Sequence, residues 1–143
     1  MSAQNPYAPP KAIVDVGGGV ADIDSLSVSD KWKRRFKVMR KAGGPSLPHV
    51  KNLTREEQKE LSSFNVLAFL LGPLYYLFKG MWRKGLTLFF LTLIGLLAVD
   101  AVMVMVGLGS FTRATSFAAA AVYGALANGD YYRKMVLGQN AWW

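Results

Sequence analysis

The sequence lacks cysteine altogether and contains a single histidine, His49. No disulfide framework, thiolate metal site or cysteine nucleophile can form, and one histidine cannot build a histidine cluster. Acidic residues are also few, with nine Asp and Glu against 17 Lys and Arg, which leaves a formal net charge of +8. This balance excludes proteins whose function depends on an acidic tail.

The sequence motifs of the common enzyme classes are missing as well. It contains no G-x-S-x-G, no H-E-x-x-H, no Walker-type loop and no dinucleotide-binding fingerprint. Hydrophobic residues make up 52% of the chain and charged residues 18%, which is too apolar for an ordinary soluble domain. We therefore predict a membrane protein that is not an enzyme and has no catalytic residue, cofactor or metal site.

Residues 1–29 are predicted to form a disordered cytoplasmic tail. They contain three prolines and the glycine run 17–19, with no apolar segment long enough for a secretory signal. Such a composition cannot bury enough apolar surface to offset its chain entropy. No GKS or GKT follows the glycine run, so a flexible spacer is favoured over a phosphate-binding loop.

Residues 30–42 have the pattern of a basic amphipathic helix. At 100° per residue an apolar edge forms from Trp32, Phe36 and Met39. The opposite side is cationic and consists of Lys33, Arg34, Lys37, Arg40 and Lys41. This pattern predicts contact with a membrane surface rich in anionic phospholipid or with the groove of a partner protein. A solvated basic face is the alternative, and nucleic acid is disfavoured because aromatics interleaved for base stacking are missing.

A second, shorter helix is predicted after the turn at residues 43–48. Thr54 and Glu57 form a capping box, in which each side chain accepts a hydrogen bond from the other residue's backbone. The polar segment that follows is solvated. Residues 30–62 together are therefore predicted as a cytoplasmic region of two helices.

Three uncharged apolar stretches dominate the second half of the chain, at residues 64–78, 85–112 (interrupted by Asp100) and 114–129. Residues 86–108 would form a helix of about 35 Å, enough to cross a hydrocarbon core of about 30 Å. The third stretch reaches about 24 Å as a helix. Tyr131 and Tyr132 can extend it at the membrane interface. The sequence thus predicts two transmembrane helices.

The first stretch is too short to cross as one straight helix, and Gly72 and Pro73 break it at its centre. Basic residues precede it and follow it, so a crossing would leave one basic cluster outside. We predict a re-entrant or kinked hairpin with Tyr75, Tyr76 and Trp82 at the level of the headgroups. A longer kinked helix that does cross remains the alternative.

The third stretch carries small residues at every fourth position, Ser116, Ala120, Gly124 and Asn128. Small residues at this spacing allow another helix to approach closely, so this face is predicted to pack on a partner helix. The alternative is that the pattern is a chance property of an alanine-rich helix.

Asp100 is the one ionisable residue within a predicted transmembrane helix. An intramembrane acid is by default a candidate for function, because burying its charge in lipid is costly. It lies near the far end of its helix, so a structural pair with Arg113 is favoured over a proton or ion relay.

Three segments carry a family resemblance: KWKRRF at 31–36, SFNVLAFLLGPLYYLFKGMWRKGL at 63–86 and ANGDYYRK at 127–134. Together they resemble the domain-of-unknown-function family 2628 over about residues 30–137. The resemblance implies a small bacterial inner-membrane protein, and it implies no activity, cofactor or catalytic residue. The opening NPYAPP at 5–10 also resembles the cytoplasmic start of several proteobacterial membrane proteins.

The sequence therefore predicts an all-α protein of the bacterial inner membrane with both termini in the cytoplasm. Its membrane domain covers residues 63–137, and residues 138–143 form an aromatic tail. Trp142 and Trp143 are predicted to anchor this tail at the interface, and insertion into a partner is the alternative. The predicted function is that of a small non-catalytic accessory subunit, which associates with a larger membrane complex or with itself. A homo-oligomeric transporter or ion-conducting protein is the alternative.

Overall fold

The computed structural model describes residues 20–61 and 64–142. These residues form helices and no strand, so the predicted all-α class is confirmed. Three parts follow one another, termed here the cap (residues 20–61), the broken hairpin (residues 64–81) and the helix pair (residues 82–136). Residues 1–19 of the predicted tail, residues 62–63 and the terminal Trp143 lie outside the described residues.

Two helices form most of the cap. Helix α1 (Asp30–Lys41) begins after Ser29, and the chain turns away at Gly43, whose φ is +92°. Helix α2 (Arg55–Leu61) begins at the predicted capping box. There the backbone N–H of Thr54 donates to Glu57 Oε2 at 2.9 Å, and the N–H of Glu57 donates to Thr54 Oγ1 at 3.2 Å. Both helices agree with the sequence prediction.

Residues 20–29 belong to the cap and are not disordered. Ile23 lies in a short 3-10 helix (Ile23–Ser25) that packs against α1, and its side chain is fully buried. The backbone N–H of Ala21 donates to the carbonyl of Val136 at 2.9 Å. The prediction of a disordered tail is therefore wrong for these ten residues, because burial of Ile23 and this backbone contact hold them in place.

The broken hairpin consists of two short helices, α3 (Val66–Leu71) and α4 (Pro73–Phe78). Gly72 separates them with φ +53° and ψ −127°, a conformation that a residue with a Cβ rarely adopts. Proline suits the first position of α4, where its missing N–H has no helical partner. The chain thus breaks where the sequence predicts, and each helix is only about 9 Å long.

Helix α5 (Trp82–Met105) is the one described helix that is long and apolar enough to cross a membrane. Its 24 residues extend over about 36 Å. Helix α4 packs against its first turn at Gly85, where an added Cβ would lie 2.7 Å from Tyr76 Cβ. The predicted apolar segment therefore forms one helix that is long and apolar enough to span, and its crossing of a membrane stays a prediction.

Helix α6 (Thr112–Val136) follows a short 3-10 helix (Gly109–Phe111) and runs antiparallel to α5. Three polar side-chain contacts connect the two helices in opposite order: Lys84 with Asp130 at 3.1 Å, Thr92 with Tyr123 at 2.8 Å and Asp100 with Thr115 at 2.6 Å. Both ends of α6 carry charge, with Arg113 at its start and Asp130, Arg133 and Lys134 near its end. A second transmembrane helix here remains a prediction.

The core of the protein lies at one end of the helix pair. This near end carries Trp82 and Val136, and the far end carries the turn at Gly109–Phe111. The largest fully buried side chains come from the cap, α4 and the last part of α6: Ile23, Phe36, Tyr76 and Val136. Most large side chains of α5 are instead exposed, so the near end is packed by protein while the outer face of α5 is bare.

Candidate functional site

A buried carboxylate lies at the centre of the near end. The side chain of Asp130 on α6 is 3% exposed, and its Oδ1 lies 3.1 Å from both Lys84 Nζ and Arg133 Nη1. The hydroxyl of Tyr76 donates to Asp130 Oδ2 at 3.1 Å. Burying a charge is costly unless it is paired and hydrogen-bonded, and here both oxygens have partners. Asp130 therefore connects α4, α5 and α6 through one residue.

A second buried polar group connects the start of α3 to α6. The side-chain amide of Asn65 donates to Asn128 Oδ1 and to the hydroxyl of Tyr75, both at 2.9 Å. Its carbonyl oxygen accepts from the backbone N–H of Ala68 at 3.0 Å and so caps α3. The backbone N–H of Asn65 donates to the carbonyl of Gly124 at 2.8 Å. These bonds fix the beginning of the broken hairpin against the middle of α6.

Lys79, at the end of the hairpin, lies among aromatic rings that connect it to the cap. Its ammonium is 4.6 Å from the ring centre of Tyr131, 5.4 Å from that of Trp32 and 6.0 Å from that of Tyr75. Lys134 Nζ donates to the Lys79 carbonyl at 2.5 Å. Burial, and to a lesser extent repulsion by the Lys134 charge, lower the pKa of Lys79. The cation–π contacts attach the cap to the hairpin.

The openings around this network are of two kinds. The polar cavity beside Asp130 holds about 10 Å³, which is room for one water molecule. Two larger grooves are mainly apolar, one of about 290 Å³ between α5 and α6 and one of about 340 Å³ between the hairpin and the helix pair. No cluster of three His, Asp or Glu side chains occurs within residues 20–61 and 64–142. The polar groups thus hold elements together, and these two grooves suit apolar occupants.

The predicted membrane-surface residues of α1 are largely engaged within the chain. Phe36 and Met39 are buried, and Trp32 is half-buried against Tyr131, with ring centres 4.7 Å apart. The apolar edge of α1 therefore packs on α6 and is not available to lipid. The cause is the pair Tyr131 and Tyr132, whose rings provide the surface that this edge covers.

The cations of α1 are also used to assemble the cap. Three of the predicted ones form ion pairs: Arg34 with Glu60 at 2.9 Å, Lys37 with Asp24 at 2.7 Å and Lys41 with Glu57 at 2.6 Å. Two donate to backbone carbonyls, Lys33 to that of Asp24 and Arg40 to that of Ala21. The basic face of α1 is therefore partly neutralised by the 3-10 helix and α2.

The predicted packing face of α6 is divided between two environments. Asn128 and Gly124 contact the hairpin, and a Cβ at Gly124 would lie 2.6 Å from the ring of Phe64. Ala120 is half-buried and Ser116 is exposed. The half of this face at Gly124 and Asn128 is thus already covered by the chain's own hairpin and is not available to a partner helix.

Asp100 has a different partner from the predicted one. Thr115 Oγ1 donates to Asp100 Oδ1 at 2.6 Å, while Asp100 and Arg113, both described, form no ion pair. Arg113 and Thr115 lie about 200° apart around α6, so only one of them can face Asp100, and it is Thr115. Asp100 lies within the last two turns of α5, near the far end.

The aromatic residues predicted to lie at the level of the headgroups differ in exposure. Trp82 is exposed and its ring centre lies 5.6 Å from that of Trp142. Tyr75 and Tyr76 are buried instead, because their hydroxyls bond to Asn65 and Asp130 in the interior. Tyr131 and Tyr132 are likewise buried under the cap.

The sequence reasoning missed Asp130 and Asn65, the centres of both buried networks. Asp130 falls just outside the third apolar stretch (residues 114–129) and is not among the residues predicted from the sequence. One signal was present, because Arg133 three residues later lies on the same side of the helix and can pair with it. For Asn65 the signal was its position directly before an apolar helix, where asparagine is a preferred cap.

Comparison with known proteins identifies the family. The sequence profile described as Protein of unknown function (DUF2628) matches residues 24–136. No curated protein and no solved structure matches the chain. The match covers the cap from its 3-10 helix onward, the broken hairpin and both helices of the pair. The chain therefore belongs to this family of proteins of unknown function.

Proposed function

We propose that the protein is a non-catalytic accessory subunit of a bacterial inner membrane that packs against a larger membrane protein or a second copy of itself. The observation that carries the proposal is the exposure of α5, since only 6% of its most apolar 18-residue window is buried. A helix of this length and composition with a bare surface suits lipid as its solvent. The apolar groove beside it suits a helix as its occupant.

In this proposal α5 and α6 both cross the membrane, and the broken hairpin enters and leaves from the same side. Two contacts support the hairpin: Asn65, before α3, bonds to Gly124, and Lys79, after α4, bonds to Lys134. Both partners belong to the last half of α6. The break at Gly72 lies between these two ends, so the segment turns back within one leaflet.

Charge placement favours a cytoplasmic near end. It carries Lys79, Arg83, Lys84, Arg133 and Lys134, while the turn at the far end is followed by one cation, Arg113. Cytoplasmic ends of transmembrane helices are enriched in Lys and Arg. Both described ends of the chain, at Val20 and Trp142, then belong to the cytoplasmic side. Anionic phospholipid remains a proposed partner of this basic near end.

The absence of cysteine from the sequence makes a topology test direct, since single-cysteine variants need no background removal. We choose three exposed positions: Lys59 in the cap, Arg83 after the hairpin and Ser110 in the far turn. In intact cells a membrane-impermeant maleimide should label Ser110→Cys alone. Lys59→Cys and Arg83→Cys should react only after permeabilisation. Labelling of Arg83→Cys in intact cells would mean that the hairpin crosses, and this outcome would reject the proposed arrangement.

The groove between α5 and α6 is the proposed packing surface for the partner helix. Small side chains on both walls leave room for close approach, with Gly95 on α5 and Ala118 and Ala119 on α6. An added Cβ at Gly95 meets nothing within 4 Å, so the space there is open. Close approach of backbones is what drives helix association in lipid.

Filling this groove should disrupt the assembly without unfolding the protein. Gly95→Leu places a side chain into open space, and Ala98→Leu is the matched control, since Ala98 is exposed on the same helix outside the groove. Complexes extracted from native membranes with a polymer that retains lipid are then sized. We expect Gly95→Leu to lower the mass of the assembly and Ala98→Leu to preserve it. A wild-type mass equal to that of one copy would reject the accessory role.

A further inference from the structure

The part of the protein assigned to the membrane has unequal widths at its two ends. At the near end α3 and α4 lie beside the helix pair, and an added Cβ at Gly72 would be 4.0 Å from the ring of Tyr123. The groove between the hairpin and the pair extends toward the far end as far as Leu96 and Ser116. Beyond it, residues 97–115 continue as the helix pair and its turn. Four helical segments thus occupy one end and two occupy the other.

The outer face of the hairpin is apolar and exposed. Residues 64–78 contain no Lys, Arg, Asp or Glu. Large side chains are exposed along both of its helices: Val66, Leu67, Leu70, Leu71, Leu74, Leu77 and Phe78. Phe78 has the largest exposed fraction of these side chains, 79%, and Lys79 follows it immediately. Apolar side chains ending at a cation match the boundary between acyl chains and phosphates.

We infer that the broken hairpin acts as a wedge in one leaflet and concentrates the protein where that leaflet is convex. The inference rests on the proposed function, in which the pair crosses and the hairpin does not. A helix with its side chains is about 10–12 Å wide, so two extra segments add on the order of 200 Å² to one leaflet. A molecule that is wider in one leaflet fits best where that leaflet is stretched around the outside of a curve.

The partner of this surface is therefore the lipid leaflet itself. The hairpin's exposed face has no polar side chain that would give a protein partner directional contacts. Arg83, the exposed cation that follows the hairpin, instead matches the phosphate layer on the same side. A transmembrane partner helix in the groove between α5 and α6 adds the same width to both leaflets and preserves the difference between them. A protein that covered only the far half of the pair would equalise the two widths and abolish the effect.

The test uses tubes pulled outward from giant vesicles that contain the full-length protein in both orientations. An impermeant dye maleimide added outside labels only the molecules whose cysteine faces outward. Asn140→Cys reports molecules with the near end outside, and Ser110→Cys reports molecules with the far end outside; both positions are exposed. We expect the tube-to-vesicle dye ratio, normalised to a lipid dye, to exceed one for Asn140→Cys and to fall below one for Ser110→Cys.

A matched pair of triple variants tests whether the uneven tube-to-vesicle ratios come from the width of the hairpin or from another property of the protein. The narrowed hairpin carries Leu70→Ala, Leu74→Ala and Phe78→Ala. The control carries three changes near the far end of α5, Val102→Ala, Val104→Ala and Met105→Ala, all at exposed positions. Narrowing the hairpin should move both ratios toward one. The control should leave their opposite directions unchanged.

Equal ratios for the two orientations in the wild type would overturn the inference. The same result would leave the proposed topology intact if, in intact cells, the impermeant maleimide had labelled Ser110→Cys and not Arg83→Cys. Labelling of Arg83→Cys in intact cells, in contrast, would reject the topology and the inference together. If the Asn140→Cys ratio falls by the same amount in the narrowed hairpin and in the far-end control, the inference that the hairpin acts as a wedge is also overturned.

Discussion

The carboxylate of Asp130 lies 3.1 Å from the ammonium of Lys84, and this contact connects α6 to the first turn of α5. Arg133 shares the same carboxylate oxygen. The carboxylate of Asp130 thus neutralises two cations. If its charge is removed, Lys84 and Arg133 remain at the near end without a counter-charge. The near end of the protein is held together by this charge arrangement as well as by apolar packing.

We predict that Asp130→Asn destabilises the protein more than Lys84→Met. The first change leaves Lys84 and Arg133 without a counter-charge, and breaking a buried pair in this way costs about 3–5 kcal/mol. The second change leaves Asp130 with Arg133 and with the hydroxyl of Tyr76. Thermal unfolding midpoints of the purified full chain in one detergent provide the measurement.

The double variant Asp130→Asn with Lys84→Met is the control for this prediction. Because both members of the pair lose their charge, its midpoint should lie above that of Asp130→Asn alone. If the two single changes were simply additive, the contact between Asp130 and Lys84 would carry no coupling energy and the prediction would be wrong.

Gly124 is a close contact between α6 and the start of the hairpin. An added Cβ would lie 2.6 Å from Phe64 Cζ and 3.2 Å from the backbone oxygen of Asn65. We expect Gly124→Ala to cost about 1–3 kcal/mol, because the hairpin must shift to make room. Gly95→Ala is the matched control, since a Cβ there meets nothing within 4 Å and alanine is the better helix former by about 0.5–1 kcal/mol. The two midpoints should therefore move in opposite directions, and a common direction would contradict the packing described.

The elements that were predictable from sequence are those with a local signal. The capping box at Thr54 and Glu57, the break at Gly72 and the apolar run of α5 each depend on residues within a few positions of one another. Local chemistry decides them whatever the rest of the chain does. The family resemblance likewise came from contiguous segments and is confirmed by the profile match over residues 24–136.

What sequence could not supply is which apolar face another part of the chain covers. The edge of α1 at Phe36 has the composition of a membrane-binding face, and only its contact with Tyr131 and Tyr132, almost a hundred residues away, removes it from lipid. The same holds for Asp130, whose partner Lys84 is distant in sequence. Amphipathicity identifies a face that must be buried and does not say against what.

Trp32 is predicted to control docking of the cap. Its ring centre lies 4.7 Å from that of Tyr131, and the charged groups of Arg35 and Lys79 lie over it at 4.9 Å and 5.4 Å. Trp32→Ala removes all three contacts, so we expect trypsin to cut at the exposed Lys51 of the cap several times faster than in the wild type. The assay uses reconstituted vesicles and follows the cleaved fraction with time.

Trp82→Ala is the comparison for this assay, because the ring contacts of Trp82 are with Trp142 and Arg83 at the near end of α5. It should leave the cleavage rate at Lys51 unchanged. Equal acceleration by both variants would indicate general loosening of the protein, and the assignment of Trp32 to cap docking would then be wrong.

Acid should loosen the cap through Glu57. Lys41 Nζ donates to Glu57 Oε1 at 2.6 Å, and this bond, followed by the bond from the Thr54 backbone, lowers the pKa of Glu57 from its ordinary value of 4.5. A carboxyl whose pKa is lowered in the folded state stabilises that state above its ordinary pKa. The contribution is lost as the pH falls below 4.5 and through the lowered value.

The titration midpoint of Glu57, followed by NMR of the carboxyl carbon in the full chain, tests this directly. Lys41→Met should raise the midpoint more than Thr54→Val, because the Lys41 side chain is the larger cause of the shift while Thr54 retains its backbone N–H. In Glu57→Gln the cap should respond less to acid over the same range, since the group that gains the proton is absent. A midpoint unmoved by Lys41→Met would show that the ion pair does not persist in solution, as happens for many exposed pairs.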